Sequence, residues 1–375
     1  MAREEHREKP YPGFPLSWHS SGYWFKRIAG KFYYFGTRYG SHEEALEDYL
    51  MRRDHPDRQE VTRGPQAALT VNELCDAFME SKERQMNAGE LTQRSFNDYF
   101  RLGVLLLKKL GKGRLVEAME PDDFGILKLR LTEGVSVQTA ANRIRLARII
   151  FRFAEQDGLI QGRVKFGSQF KITGRKLIRR ERQANQQKHG IRMFEPGQVH
   201  DLMRAANAQW RAMILLGINC GYGNTDLSEI RAGHISGEWA TYPRQKTSVD
   251  RVAWLWPETR EALQEHGAIG DDGRLFCRRT GGHWVKVSAK CVDDGIAKQF
   301  SKMMAAVGHK RPGLTFYSLR HTFQTVADGA KDPLATALVM GHVDETMSGR
   351  YRERFERDRV RAVCEFVRAW YLAGS

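Results

Sequence analysis

The chain has 375 residues, with 60 Lys and Arg against 45 Asp and Glu and a net charge of +15, so two domains plus a small third are within reach and a polyanion is the expected partner. Five scattered cysteines (Cys75, Cys220, Cys277, Cys291, Cys364) with no Cys-x-x-Cys pair argue against a disulfide framework and a cysteine-rich zinc site. No apolar run of signal-peptide type follows the start, and the longest apolar stretch, residues 213–218, is too short for a bilayer; a soluble, cytoplasmic protein without membrane contact is expected.

Residues 1–15 are charged, contain Pro10, Pro12 and Pro15, and are expected to be a disordered tail. Trp24-Phe25-Lys26-Arg27-Ile28 and Phe32-Tyr33-Tyr34-Phe35-Gly36 read as two strands around a turn at Ala29-Gly30-Lys31. Ser41-His42-Glu43-Glu44 has the capping-box pattern that opens a helix through Leu50. The result is a small unit over residues 16–55. Nucleic-acid contact through Lys26, Arg27, Lys31 and Arg38 is one reading of it, and a generic mini-domain whose aromatics are simply its core is the other.

Residues 55–66 are polar, with Pro56, Gly64 and Pro65, and read as a linker. Thr70-Val71-Asn72-Glu73 is a second capping box, and helical spacing continues over residues 68–165. Within it Ile144, Ala147, Ile150, Phe151 and Ala154 form an apolar face, while Arg145, Arg148 and Arg152 form a basic one. Phosphate contact is the preferred reading of that basic face, a solvated surface the alternative. Residues 166–192 are the most basic segment: Lys171, Arg175, Lys176, Arg179, Arg180, Arg182, Lys188 and Arg192 meet only Glu181. A last domain, 193–375, starts a helix at Pro196 and has strands at residues 239–242 and 251–255. Asp332-Pro333 caps a helix ending at Gly341, and an apolar stripe runs from Val360 to Tyr371. The expected fold class is mainly α with small β-sheets (α+β).

The most specific pattern lies near the end: Tyr317-Ser318-Leu319-Arg320-His321-Thr322, then Gly341-His342, then Tyr351, nine residues beyond that histidine. Order and spacing resemble the C-terminal box of the tyrosine recombinase (phage integrase) family. The resemblance implies an arm-type N-terminal domain, a helical core-binding domain, a basic linker that crosses DNA, and a mixed α/β catalytic domain. It also implies site-specific cleavage and rejoining of double-stranded DNA through a 3′-phosphotyrosine. Tyr351 would be the nucleophile, Arg320 and His342 the phosphate ligands, Lys246 the general acid and Tyr317 an orienting hydroxyl. Neither metal nor cofactor is implied. A homotetramer on two duplexes, monomeric when free, would do the work. The apolar stripe after Tyr351 would cover its own domain or dock on a neighbouring protomer.

One position departs from that family. Its Thr-Gly-x-Arg-x-x-Glu-Leu segment corresponds to Cys220-Gly221-Tyr222-Gly223-Asn224-Thr225-Asp226-Leu227, so Gly223 stands where an arginine is expected. The phosphate then loses a cation, which Arg244, two residues from Lys246 on one strand face, could replace; Arg231 and Arg251 are also near in sequence. The alternatives are a catalytically impaired DNA-binding protein on the same scaffold, or a type IB topoisomerase.

Overall fold

The computed structural model describes residues 8–19, 22–28, 31–36, 40–53, 68–172, 174–244, 249–288, 291–342 and 356–374. Arg38, Lys246 and Tyr351 lie outside the described residues, as does the expected linker of residues 55–66. The chain divides into two compact units, Met1–Leu91 with Asp98–Thr173, and Gly174–Ser375 with Thr92–Asn97.

The first unit opens with an antiparallel sheet, β1 (Ser17–Trp18), β2 (Trp24–Ile28) and β3 (Lys31–Phe35), in that order. Trp24 and Phe35 are register partners and both are buried, so the pleat puts one aromatic row inside. Helix α1 (His42–Arg53) covers that row with Ala45 and Tyr49. Gly36, at φ +72, permits the approach, because a Cβ there would stand 3.1 Å from Ala45. Phe14 corrects the expected tail: it is 1% exposed and lies edge-on to Trp24 at 5.1 Å. An aromatic ring in a proline-containing stretch gains more by burial on this small core than the chain loses in freedom.

Four helices follow: α2 (Val71–Asn87), α3 (Gln93–Leu110), α4 (Pro121–Thr132) and α5 (Val137–Gln156). The Thr70 box is fully formed, with Oγ1 accepting from Glu73 N at 3.2 Å and the Glu73 carboxylate accepting from Thr70 N at 2.9 Å. Ile144, Ala147, Ile150, Phe151 and Ala154 are buried, as their spacing predicts. They join Leu74, Phe78, Leu106, Phe124 and Leu127 in one core, where each large side chain contributes about 1.5–3 kcal/mol.

The second unit begins with α6 (Arg175–His189), a helix with no buried residue. Its last carbonyl, His189 O, accepts from Arg311 at 2.7 Å, and the same guanidinium donates to Ile191 O and Met193 O just past the helix, a cation at the negative helix end. Then come α7 (Pro196–Ala205), α8 (Ala208–Asn219), buried almost all round, and α9 (Asn224–Glu229). An antiparallel sheet of β4 (Ile235–Ser236), β5 (Trp239–Thr241) and β6 (Val252–Trp254) leads to α10 (Pro257–His266). A hairpin that sequence reading missed, β7 (Val285–Val287) and β8 (Val292–Asp294), precedes α11 (Gly295–Ala306), α12 (Tyr317–Ala327) and α13 (Pro333–Met340). Buried Asn219 ties α8 to the sheet: it donates to Trp254 O and accepts from Trp256 N and Thr259 Oγ1.

A final helix, Arg357–Leu372, folds onto its own unit through Val360, Val363, Cys364, Val367 and Tyr371. Trp256 Nε1 donates to Cys364 O at 2.8 Å, Arg368 grips Glu258 with two nitrogens, and Arg359 does the same to Asp332. The stripe is buried on its own domain. The described architecture is mainly helical with small antiparallel sheets.

Candidate active site

Helix α12 begins at Tyr317, so its first turn presents Tyr317, Arg320 and His321 together. Arg320 is 3% exposed; Nη1 donates to Gly221 O at 2.7 Å and Nη2 to Met340 O at 2.5 Å. Nη2 also lies 3.5 Å from His342 Nε2. His342 directly follows Gly341, the left-handed C-cap of α13 at φ +62, and that cap turns the chain toward Arg320. The imidazole stands partly open to solvent, yet its pKa is lowered from 6.5 by desolvation, then by Arg320 and Arg244. Burial likewise lowers the pKa of Arg320, which stays a cation.

Among the described residues no carboxylate forms an ion pair with Arg320. Asp226, whose charge acts on Arg320, is already taken. Asp226 receives both terminal nitrogens of Arg251, at 2.8 and 3.1 Å, and caps α9 through Gly223 N at 2.8 Å. Arg251 is fully buried, its Nε donates to Tyr242 O at 3.1 Å, and its guanidinium lies 4.6 Å from the Tyr222 ring and 5.1 Å from that of Tyr242. Its charge is thereby neutralised within the fold. Arg244 differs. It is half-buried, bridges to Val249 across the hairpin, and donates from Nη1 to Gly341 O at 3.1 Å. Its charge depresses the pKa of both Arg320 and His342, so the three cationic or basic groups share one locality.

Gly223 is at the same place. A Cβ built on it would lie 3.2 Å from Cδ2 and Cε2 of Tyr317, so that ring occupies the space into which a side chain at 223 would grow. Tyr317 is 43% exposed and meets His321 edge-on at 5.3 Å. Arg231 is not part of this group; it bridges to Arg274 and its amide donates to His234. The arrangement is an uncompensated buried cation beneath an open rim of Tyr317, His321 and His342, with Arg244 beside it. Such a floor fits a phosphate, because a planar guanidinium can offer parallel N–H groups to two oxygens.

The residues singled out for nucleic-acid contact divide into two groups. Arg145, Arg152, Lys171, Arg175, Lys176, Arg179 and Arg180 are exposed. Arg148 instead lies 4.4 Å from the Phe166 ring and donates to Phe170 O at 2.7 Å, contacts that hold the end of this helical unit together. Lys26 donates to the Tyr49 hydroxyl, and Arg27 pairs with Glu80. Arg251 is singled out in the sequence only as a nearby cation able to replace the missing arginine, and Asp226 only as the acidic position of the segment around Gly223; their pairing is not anticipated there.

No family model and no curated protein matches the sequence. Solved structures do. A lambda integrase tetramer bound to a Holliday junction superposes with a TM-score of 0.56 at 14% identity, over 93% of this chain and 100% of that one. A lambda integrase dimer bound to a COC′ core site gives 0.56 at 15%, over 94% and 99%. A Tn1549 transposon integrase in complex with transposon right end DNA gives 0.55 at 16%, over 79% and 99%. Among the described residues no helix is long and apolar enough to cross a membrane. At such identities the likeness is one of architecture, and by that architecture the chain has the tyrosine recombinase fold.

Proposed function

We propose that the protein is a site-specific DNA recombinase that cleaves and rejoins strands through a 3′-phosphotyrosine, acting as a homotetramer on two duplexes. The observation that carries this reading is Arg320: a buried guanidinium whose partners are two carbonyls and a histidine, with the nearby carboxylate committed to Arg251. A buried cation is costly without a counter-charge, and a DNA phosphate supplies one. The neighbours bound to DNA and to a Holliday junction support the same substrate.

In the reaction, Tyr351 Oη forms a bond to phosphorus and the bond from phosphorus to the 5′ oxygen breaks. A phenol has a pKa of about 10 and needs help to attack. His342, whose pKa is lowered by desolvation and by Arg320 and Arg244, is the acceptor for the phenolic proton, and Lys246 gives a proton to the leaving 5′ oxygen. Arg320 and Arg244 hold the non-bridging oxygens, with contacts that strengthen as negative charge grows. Arg244 thereby fills the role vacated at Gly223. Tyr317 orients the phosphate from the rim. The ester retains the energy of the broken bond, so a 5′ hydroxyl of a partner strand can reverse the step without metal or nucleotide. Arg145, Arg152 and the exposed cations of residues 171–180 would follow the flanking backbone.

A nicked suicide duplex tests the reading. A protein–DNA adduct that survives denaturant and is absent in Tyr351→Phe is expected. DNA binding without any adduct would leave the chain a DNA-binding protein only. Relaxation of supercoils without exchange between two sites would make it a topoisomerase.

A further inference from the structure

We infer that Arg251 is a positioning residue for cleavage: buried away from the substrate, it sets the place of Arg244 and His342. The inference rests on the strand-transfer reading above. Arg251 lies on the strand-side return of the hairpin that also carries Arg244, and it binds three separate segments at once. It grips Asp226 on α9 with two nitrogens, donates Nε to Tyr242 O on the outgoing limb, and presses its Cγ and Cδ against Gly341. That last contact is close: a Cβ on Gly341 would stand 2.7 Å from Cγ and from Cδ of Arg251, and 3.0 Å from Cβ of Arg244. The carbonyl of the same Gly341 accepts from Arg244 Nη1, and His342 is its immediate neighbour.

Arg251 is therefore the post at which α9, the hairpin and the α13 cap meet, and the two groups it borders are the ones that would touch phosphate. Being fully buried and neutralised by Asp226, it cannot reach DNA itself. Tyr222 and Tyr242 flank the guanidinium with their rings and leave it little freedom to swing. Lysine keeps the charge but gathers its donors on one nitrogen at the end of a flexible stem, so the two-nitrogen grip on Asp226 and the separate Nε bond to Tyr242 O are lost. Holding a phosphate ligand about 1 Å out of place is enough to cost about 100-fold in rate.

The test is a double-variant cycle on single-turnover cleavage of the nicked duplex at saturating protein, with duplex affinity and thermal midpoint measured beside it. Arg251→Lys is expected to lose about 100-fold in adduct formation while duplex affinity is retained. Arg244→Ala should lose a similar factor, and the double variant should lose clearly less than the product of the two, because part of the Arg251 effect runs through Arg244 and the rest through His342. If Arg251→Lys does not fold, Asp226→Asn, of the same shape, loosens the grip from the other side and takes its place in the cycle. Wild-type cleavage in the folded variant, or losses that multiply, overturn the inference. An absent adduct in the wild-type chain would instead strike the strand-transfer reading on which it rests.

Discussion

Helix α6 and the floor under α12 are both arginine-rich, but the charges do opposite things. Along α6, Arg175, Lys176, Arg179 and Arg180 are exposed, no residue is buried, and the helix is held at its end by Arg311. Water solvates those cations, so their cost is small and their interactions are screened and replaceable. Under α12 the charges are out of water, and each needs a defined answer. Arg251 has one in Asp226, whereas among the described residues Arg320 has carbonyls and His342. The difference teaches where specificity for a reacting phosphate can reside. Solvated arginines attract any backbone phosphate, while a buried, unneutralised one discriminates by geometry.

The sharpest way to break this comparison is Arg320→Ala. Removing the unneutralised cation should cut adduct formation by at least about 10²–10³-fold with little change in duplex affinity, read by single-turnover cleavage on the nicked substrate. A loss confined to affinity would place Arg320 with the α6 cations instead. Next comes Gly341→Ala. The left-handed φ of +62 alone costs an L-residue about 1–2 kcal/mol, and the added methyl must also displace Arg251. Denaturant unfolding should show a lower midpoint, and an unchanged midpoint would mean the Arg251 contact is slack.

A smaller effect is expected on the solvated side. Arg179→Ala with Arg180→Ala should weaken DNA binding and leave the thermal midpoint alone. The slope of log affinity against log salt should fall by about one for each phosphate that is no longer neutralised. Equal slopes would remove α6 from the DNA path.

How much of this could be read from the chain depended on distance along it. The Thr70 box, the Asp332 cap and the Gly341 stop were legible because each is a bond among residues within a few positions of one another. The α5 core face was legible by periodicity. Arg320 and His342 were legible as a pair because the resemblance fixes their spacing, and the fold brings them to 3.5 Å. Arg251 was not, since its meaning depends on Asp226, which is 25 residues away, and on Gly341 farther still. Arg148 shows the converse. Its helical phase matches Arg145 and Arg152, but two phenylalanines supplied by the chain beyond the helix take its guanidinium. The β7–β8 hairpin escaped notice because three-residue strands carry too little alternation to register.

The mildest expected effect is one of pH, and it follows from the histidines on the open rim. His342 and His321 both have pKa values lowered from 6.5, by desolvation first and then by neighbouring arginines: Arg320 and Arg244 for His342, Arg192, Arg182 and Arg320 for His321. Unfolded, these rings titrate near 6.5. Below that pH the unfolded chain takes up protons that the folded one refuses, so stability present above about 6.5 declines as pH falls toward the folded-state values. A phosphate seated on Arg320 reverses the local field. It offsets the positive charge that depresses His342 and raises that pKa back toward its ordinary value. DNA binding near pH 6 should therefore be accompanied by proton uptake, measured as a buffer-dependent binding heat, and His342→Gln should reduce it. Uptake that is identical in the variant would mean that the phosphate sits away from the Arg320 floor, among the solvated cations.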